Sequence, residues 1–130
     1  MSQITSHVLD TSRGKPAEGI TISLFESNVE HDFSANSSSN IDNKGREQWS
    51  LLAEGQTNSD GRVPALLVQD RVLPAGNYRV HFAISDYFNA LNEQAFYPYV
   101  DIVFTINGDG DHYHIPLLLT AFGYSTYRGS

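Results

Sequence analysis

The stretch that decides the fold is HYHIPLLL, residues 112–119, because its side chains divide between two faces of a predicted β-strand. Successive side chains of a strand point to opposite sides. One side of this strand carries four core-type residues: Tyr113, Ile115, Leu117 and Leu119. The other side carries His112, His114, Pro116 and Leu118. This second side is too apolar to face only water, so we expect part of it to be covered as well.

The same alternation recurs along the chain and is interrupted by clusters of Gly, Pro, Asn and Asp, which favours an all-β sandwich or barrel. Turn-forming residues are concentrated in DTSRGKPAEG, NSDGR and INGDGD. We predict about eight strands, at residues 4–10, 19–26, 49–57, 62–67, 77–84, 97–106, 112–119 and 123–128. The segment SDYFNALN predicts a short helix, capped by Ser85 or Asp86, directly after the fifth of these strands.

Length and composition predict one domain over residues 1–130, since 40% of the residues are hydrophobic and can form one core. Residues 27–48 are polar and rich in Ser and Asn, and we expect them to form a mobile loop insertion at the surface. The net charge of -7 argues against binding to nucleic acid or to anionic membranes. The chain has no cysteine, which excludes disulfides and thiol nucleophiles.

The sequence also contains no secretory signal and no apolar stretch of roughly 18 residues that could span a membrane. We therefore expect a cytoplasmic protein.

Two further strands have the same partly apolar second face. In the first strand Thr5, His7 and Leu9 lie opposite the core residues Ile4 and Val8. The last predicted strand places Ser125 and Tyr127 on one side, and we expect Tyr127 to point to the same side as His114. Apolar residues on both sides of a sheet indicate a second cover, and another subunit is the simplest one.

Six segments in order carry a family resemblance that covers nearly the whole chain: SHVLDTSRGKPAEGI, WSLLAEGQTNSDGRV, AGNYRVHF, FYPYVDIVF, HYHIPLLL and the terminal YRGS. Together they resemble the transthyretin-related 5-hydroxyisourate hydrolases. The resemblance implies a transthyretin-like β-sandwich of two four-stranded sheets with a short helix after the fifth strand. It also implies a homotetramer with active sites at the subunit interface and hydrolysis of 5-hydroxyisourate in urate degradation, without metal or organic cofactor.

The functional residues of that family fall on motifs present in this chain. The resemblance implies that the catalytic residues are His7, Arg62, His114 and Ser130. It implies that the same four residues bind the substrate together with Tyr127, Arg128 and Gly129. The chain departs from the family pattern in the long 27–48 loop and in LLTAFGY, where Thr120 and Ala121 stand in the last turn.

The residue types themselves suit the hydrolysis of a cyclic amide, which needs a base for water, a donor for the carbonyl oxygen and a proton for the leaving nitrogen. A neutral imidazole is the usual general base near neutral pH. An arginine presents a planar set of donors to carbonyl oxygens or an ionised edge. Two histidines and one arginine can supply all three roles, and the sequence leaves open which histidine is the base.

Three alternatives remain at this stage. His112 and His114 could form a metal pair, although a site needs one or two more ligands. The chain could be a transthyretin-like carrier that binds a ligand without turnover. It could also be a β-sandwich binding module of the kind appended to larger proteins, although that hypothesis assigns no purpose to HYHIPLLL or YRGS.

Overall fold

The computed structural model describes residues 2–28 and 48–129 and contains two four-stranded sheets with one short helix. The elements in chain order are β1 (Ile4–Asp10), β2 (Lys15–Pro16), β3 (Thr21–Ser27), β4 (Trp49–Gln56), β5 (Gly76–Ala83), α1 (Ser85–Ala90), β6 (Val100–Ile106), β7 (Tyr113–Leu119) and β8 (Tyr124–Ser125). One sheet has the order β2-β1-β7-β8 and the other has the order β4-β3-β5-β6. The predicted two-sheet sandwich and the helix after the fifth strand are confirmed.

The core consists of side chains from the facing sides of the two sheets. In β1 every second residue is buried, as the alternation predicted, and β7 follows the same alternation except that Pro116 on its outer side is buried as well. The largest fully buried side chains are Phe82, Phe88, Ile4, Ile20, Ile22, Leu24, Leu67, Leu73, Ile84, Ile106, Leu117 and Leu119. Burial of one such side chain stabilises the fold by about 1.5–3 kcal/mol, so this layer fixes which face of each strand points outward.

The helix α1 begins at Ser85, but its predicted side-chain cap is absent. Ile84 occupies the N-cap position, and no side chain hydrogen-bonds to the free backbone N–H groups there. The Ser85 hydroxyl instead donates to the carbonyl oxygen of Pro98 at 2.6 Å. Phe88 is fully buried and attaches the helix to the core.

The predicted strand at 62–67 is wrong. Only Arg62 is paired, in an isolated antiparallel bridge with His7. The next residues leave strand geometry because Pro64 has no N–H to donate and Ala65 has a positive φ of 55°. The edge beside β1 is formed instead by β2, through the pairs Leu9 with Pro16 and Asp10 with Lys15.

Two other predicted strands are shorter than expected. β6 begins at Val100 rather than at residue 97, after a proline at position 98 that does not fit a sheet ladder. β8 ends at Ser125 rather than at residue 128. The predicted loop at 27–48 falls largely on residues 29–47, which lie outside the described residues. At its ends the Asn28 N–H donates to the Gln48 carbonyl oxygen at 2.6 Å.

Across residues 2–28 and 48–129, no helix has both the length and the apolar character needed to cross a membrane.

Candidate active site

His7 and His114 lie on the same outward face of the first sheet because of the register between β1 and β7. These strands pair in parallel, with Thr5 opposite His114 and His7 opposite Pro116. Both histidines occupy half-buried positions that alternate with core residues. The tertiary pairing therefore brings together two side chains that are far apart in the sequence.

Arg62 reaches this face from the turn that follows β4. The Gly61 N–H donates to the Asn58 carbonyl oxygen at 2.9 Å, and the Asn58 N–H donates to the Arg62 carbonyl oxygen at 2.8 Å. The Asn58 side chain accepts from the backbone N–H groups of Asp60 and Arg62. The Val8 N–H then donates to the Gly61 carbonyl oxygen at 2.8 Å, which attaches the turn to β1 and sets Arg62 opposite His7.

A glycine lies against each of the two histidine rings. Gly61 has a φ of +75°, and a Cβ at this position would overlap the Val8 carbonyl oxygen and lie 3.2 Å from Cδ2 of His7. A Cβ on Gly129 would lie 2.7 Å from Cδ2 of His114. The Gly129 N–H also donates to the His114 carbonyl oxygen at 2.8 Å. The backbone at Gly129 thus approaches the His114 ring more closely than a residue with a Cβ could, whereas a side chain at Gly61 is excluded by the positive φ and by the Val8 carbonyl oxygen.

The pKa of each of the two imidazoles is lowered below the ordinary value of 6.5. Burial is the largest cause for His7, followed by the positive charge of Arg62, while a hydrogen bond to the backbone of Asp60 and the charge of Asp60 raise its pKa. Burial is also the largest cause for His114, followed by Arg62 and then by the imidazoles of His112 and His7. Both rings are therefore held in the neutral form that can accept a proton near neutral pH.

Tyr127 and Arg128 do not lie on the histidine face. Both line a groove of about 260 Å³ at the edge between the sheets, together with the core-side residues Tyr113 and Ile115 of β7. The Arg128 guanidinium lies 4.3 Å from the ring centre of Tyr113. The expected orientation of Tyr127 toward His114 is wrong, because β8 ends at Ser125 and strand alternation does not continue to residue 127.

The structure therefore brings together His7, Arg62, His114 and Gly129 among the predicted site residues. Ser130 lies outside the described residues. Sequence reasoning missed Thr5, whose hydroxyl oxygen lies 2.8 Å from Nδ1 of His114 and 2.9 Å from Nε2 of His112. Its position two residues before His7 on the same strand was the signal that could have found it.

Among the described residues, no third metal-binding side chain lies beside His112 and His114. Within the part of the chain that the structure describes, no three His, Asp or Glu side chains are grouped so as to hold a metal ion. The space between the two imidazoles is bridged by the Thr5 hydroxyl. Nε2 of His112 and Nδ1 of His114 are thus both engaged by the same hydroxyl group.

Comparison with known proteins shows which family the chain resembles in sequence and in fold. The family model described as HIUase/Transthyretin family matches residues 4–129. The mouse protein named 5-hydroxyisourate hydrolase is 39% identical over 129 residues, covering 99% of this chain and 96% of the mouse protein. The structure of Klebsiella pneumoniae 5-hydroxyisourate hydrolase has a TM-score of 0.74 and 32% identity, covering 99% of this chain and 100% of that one.

The sea bream transthyretin, solved in complex with thyroxine, matches the fold of this chain with a TM-score of 0.77. The match covers 98% of this chain and 94% of that one, at 24% sequence identity, and is therefore a likeness of fold alone. Fold is thus shared between a hydrolase and a protein that binds thyroxine. The family match extends over both strands that carry the paired histidines and over the turn that carries the arginine. The chain belongs to the HIUase/Transthyretin family.

Proposed function

We propose that this chain is an enzyme that hydrolyses 5-hydroxyisourate to 2-oxo-4-hydroxy-4-carboxy-5-ureidoimidazoline, a step of urate degradation. The observation that carries the proposal is the convergence of His7, Arg62 and His114 on one sheet face, with Arg62 lowering the pKa of both imidazoles. Relatives with the name of this activity match the chain over nearly its full length.

The three side chains divide the work of opening a cyclic amide. One imidazole takes a proton from water, which attacks the ring carbonyl. The Arg62 guanidinium and the second imidazole donate hydrogen bonds to the oxygen on which negative charge develops. The ring C–N bond then breaks, and the proton taken from water is returned to the leaving nitrogen. Gly129 lets the backbone approach His114 closely. A substrate-binding role for Ser130, and for Tyr127 and Arg128, which line the groove at the edge between the sheets in the single chain, rests on the family resemblance alone.

The reaction requires no metal or organic cofactor, because the imidazole pair and Arg62 supply the base, the donor and the positive charge. Activity is expected to survive exhaustive chelation. Loss of activity on chelation that one metal restores would instead support a metal bound through His112 and His114.

The active form is a homotetramer with active sites at the subunit interfaces. Support comes from exposed aromatic residues near the free edges of the two sheets, where Phe96 packs edge-on against Tyr97 and Tyr97 against Tyr124. Phe122 is 76% exposed in the single chain. Light scattering should give four times the mass of one chain, and a monomer at all concentrations would contradict this assembly.

The second candidate function is a non-catalytic carrier, which the shared fold with the thyroxine-bound sea bream transthyretin favours. A spectrophotometric assay with freshly generated 5-hydroxyisourate separates the two. A hydrolase accelerates the loss of the substrate absorbance in proportion to enzyme concentration, whereas a carrier changes it only up to stoichiometric binding. A rate equal to that of spontaneous decay would reject the hydrolase.

A further inference from the structure

A second hydrogen-bonded cluster lies directly beside the proposed catalytic residues. The Thr5 hydroxyl oxygen is 2.9 Å from Nε2 of His112 and 2.8 Å from Nδ1 of His114. The two imidazole rings lie with their centres 6.4 Å apart and their planes at 22°. One hydroxyl group therefore connects a ring nitrogen of the site to a ring nitrogen of a histidine outside it.

The hydroxyl restricts where the protons can be, because it has one hydrogen to donate. In the first arrangement His112 donates from Nε2 to Thr5, and Thr5 donates to Nδ1 of His114. In the second arrangement the direction is reversed. In the third, both rings donate to the oxygen, and no contact of Thr5 in the described chain supplies an acceptor for the hydroxyl hydrogen.

The first arrangement is favoured by the intrinsic chemistry of histidine. A neutral histidine side chain carries its proton on Nε2 more often than on Nδ1. The first arrangement places the proton on Nε2 in both rings, whereas the second places it on Nδ1 in both. Hydrogen bonds in such a chain also polarise and strengthen one another in the same direction.

We propose that Thr5 and His112 form a relay that holds His114 in its Nε2–H form, so that His114 acts as a hydrogen-bond donor to the substrate rather than as the base. Thr5 and His112 are positioning residues, since they act through His114. The proposal rests on the hydrolase function and adds the assignment of roles within it.

The role of base then belongs to His7, and its surroundings agree. His7 lies opposite Arg62 in an antiparallel bridge, and the Thr5 hydroxyl that contacts His114 and His112 makes no hydrogen bond to the His7 ring among the described residues. The backbone of Asp60 is a smaller cause that raises the pKa of His7, which is the effect of a carbonyl oxygen close to a ring N–H. A ring N–H directed at that carbonyl would leave the other ring nitrogen of His7 free to accept a proton from water. The two histidines therefore have different neighbours.

The direct test is the nitrogen NMR spectrum of the two rings in the full-length protein without substrate, at a pH where the imidazoles are neutral. The wild type is expected to show His114 with a protonated Nε2 and an unprotonated, hydrogen-bonded Nδ1. A wild-type spectrum with the proton of His114 on Nδ1 would overturn the proposal. This measurement does not depend on activity, so it separates failure of the relay from failure of the hydrolase function.

Variants of Thr5 test whether the relay sets this state. Thr5→Val keeps the branched shape and removes the hydroxyl, and one neutral hydrogen bond changes an equilibrium by about two- to tenfold. We expect His114 to gain a detectable Nδ1–H fraction and kcat to fall by about two- to tenfold, with KM nearly unchanged. Thr5→Ser should restore both, and His112→Phe should reproduce the Thr5→Val spectrum.

A matched control is Thr11→Val, because Thr11 also bridges β1 and β7 through its hydroxyl, which donates to the Leu119 carbonyl oxygen at 3.2 Å without touching a histidine. It should leave both the His114 spectrum and kcat at the wild-type values. If Thr5→Val leaves the His114 spectrum unchanged while it lowers kcat only as much as Thr11→Val does, then Thr5 is a structural residue and the relay does not exist.

Discussion

The outer faces of the two sheets both carry histidine, but with opposite partners. On the first sheet, His7 and His114 lie beside the cation of Arg62, and no carboxylate hydrogen-bonds to either ring among the described residues. On the second sheet, Nδ1 of His81 lies 2.6 Å from a carboxylate oxygen of Asp101. His81 therefore has an anionic neighbour, whereas His7 and His114 have a cationic one. The two faces thus give their imidazoles opposite electrostatic surroundings, and only the first face places two imidazoles beside an arginine.

The arginines of the two faces also differ in their surroundings. The ring of His81 lies 5.0 Å from that of Tyr99, and the nearby guanidinium of Arg79 lies between the rings of Phe25 and Trp49. These contacts use the arginine of the second sheet for packing. Arg62 on the first sheet is exposed and remains available to a ligand.

The largest expected difference between the faces is in catalysis. His7→Ala or His114→Ala should lower kcat by about a hundred- to ten-thousandfold, the usual size of general acid or base assistance. His81→Ala is the matched control and should leave kcat within a factor of about three, because this residue lies on the other sheet. Steady-state kinetics, with melting temperatures measured in parallel, check this. Equal losses at His7 and His81 would show that the faces do not differ in function.

A smaller loss of kcat should follow from adding a side chain at Gly129, where the backbone lies against the His114 ring. Gly129→Ala would put a Cβ 2.7 Å from the ring, and moving a catalytic group by about 1 Å can cost up to a hundredfold, so we expect kcat to fall about ten- to a hundredfold. Gly123→Ala is the control, since its Cβ would meet nothing closer than the Thr120 hydroxyl at 3.8 Å. Full activity of the Gly129 variant would mean that this approach is not part of the site.

The pH dependence of kcat/KM should show the effect of the Arg62 charge on the pKa of His7. A base must be deprotonated to act, and the lowered pKa of His7 should keep the enzyme active below the ordinary imidazole value of 6.5. Arg62→Gln removes one of the two causes that lower this pKa and leaves burial in place. The acidic limb of the profile should move to higher pH. An unmoved limb would show that Arg62 does not act on the base.

The smallest effect should come from the carboxylate on the other sheet. Asp101→Asn removes the charge that faces His81 at a half-exposed site, where such pairs contribute about 0–1 kcal/mol. Urea unfolding should show a free energy changed by less than about 1 kcal/mol, and kcat should not change. A large fall in kcat would indicate that the second sheet also takes part in catalysis.

Most of the fold could be predicted from the sequence because it depends on local patterns, whereas the candidate site residues were assigned through the family resemblance. Alternation in β1 and β7 correctly separated core residues from His7 and His114. The prediction of a strand at 62–67 failed because the apolar residues of this segment are buried in a loop. Pro64 prevents strand pairing there.

The position of Tyr127 could not be predicted, because alternation applies only while the chain stays in a strand. The contact of Thr5 with two rings depends on the parallel register of β1 on β7, and no local pattern encodes that register. Side chains that alternate within one strand are thus predictable, and contacts between distant strands are not.

The parallel pairing of β1 with β7 also bears on when activity can arise during folding. Thr5 and His114 are 109 positions apart in the sequence, and closing so long a loop is slow compared with forming the pairs of sequence neighbours β3–β4 and β5–β6 in the second sheet. During synthesis, the paired histidines can meet only after β7 has left the ribosome. Recovery of activity on refolding should therefore trail recovery of the β3 to β6 sheet, and the delay between them measures the docking of β1 on β7.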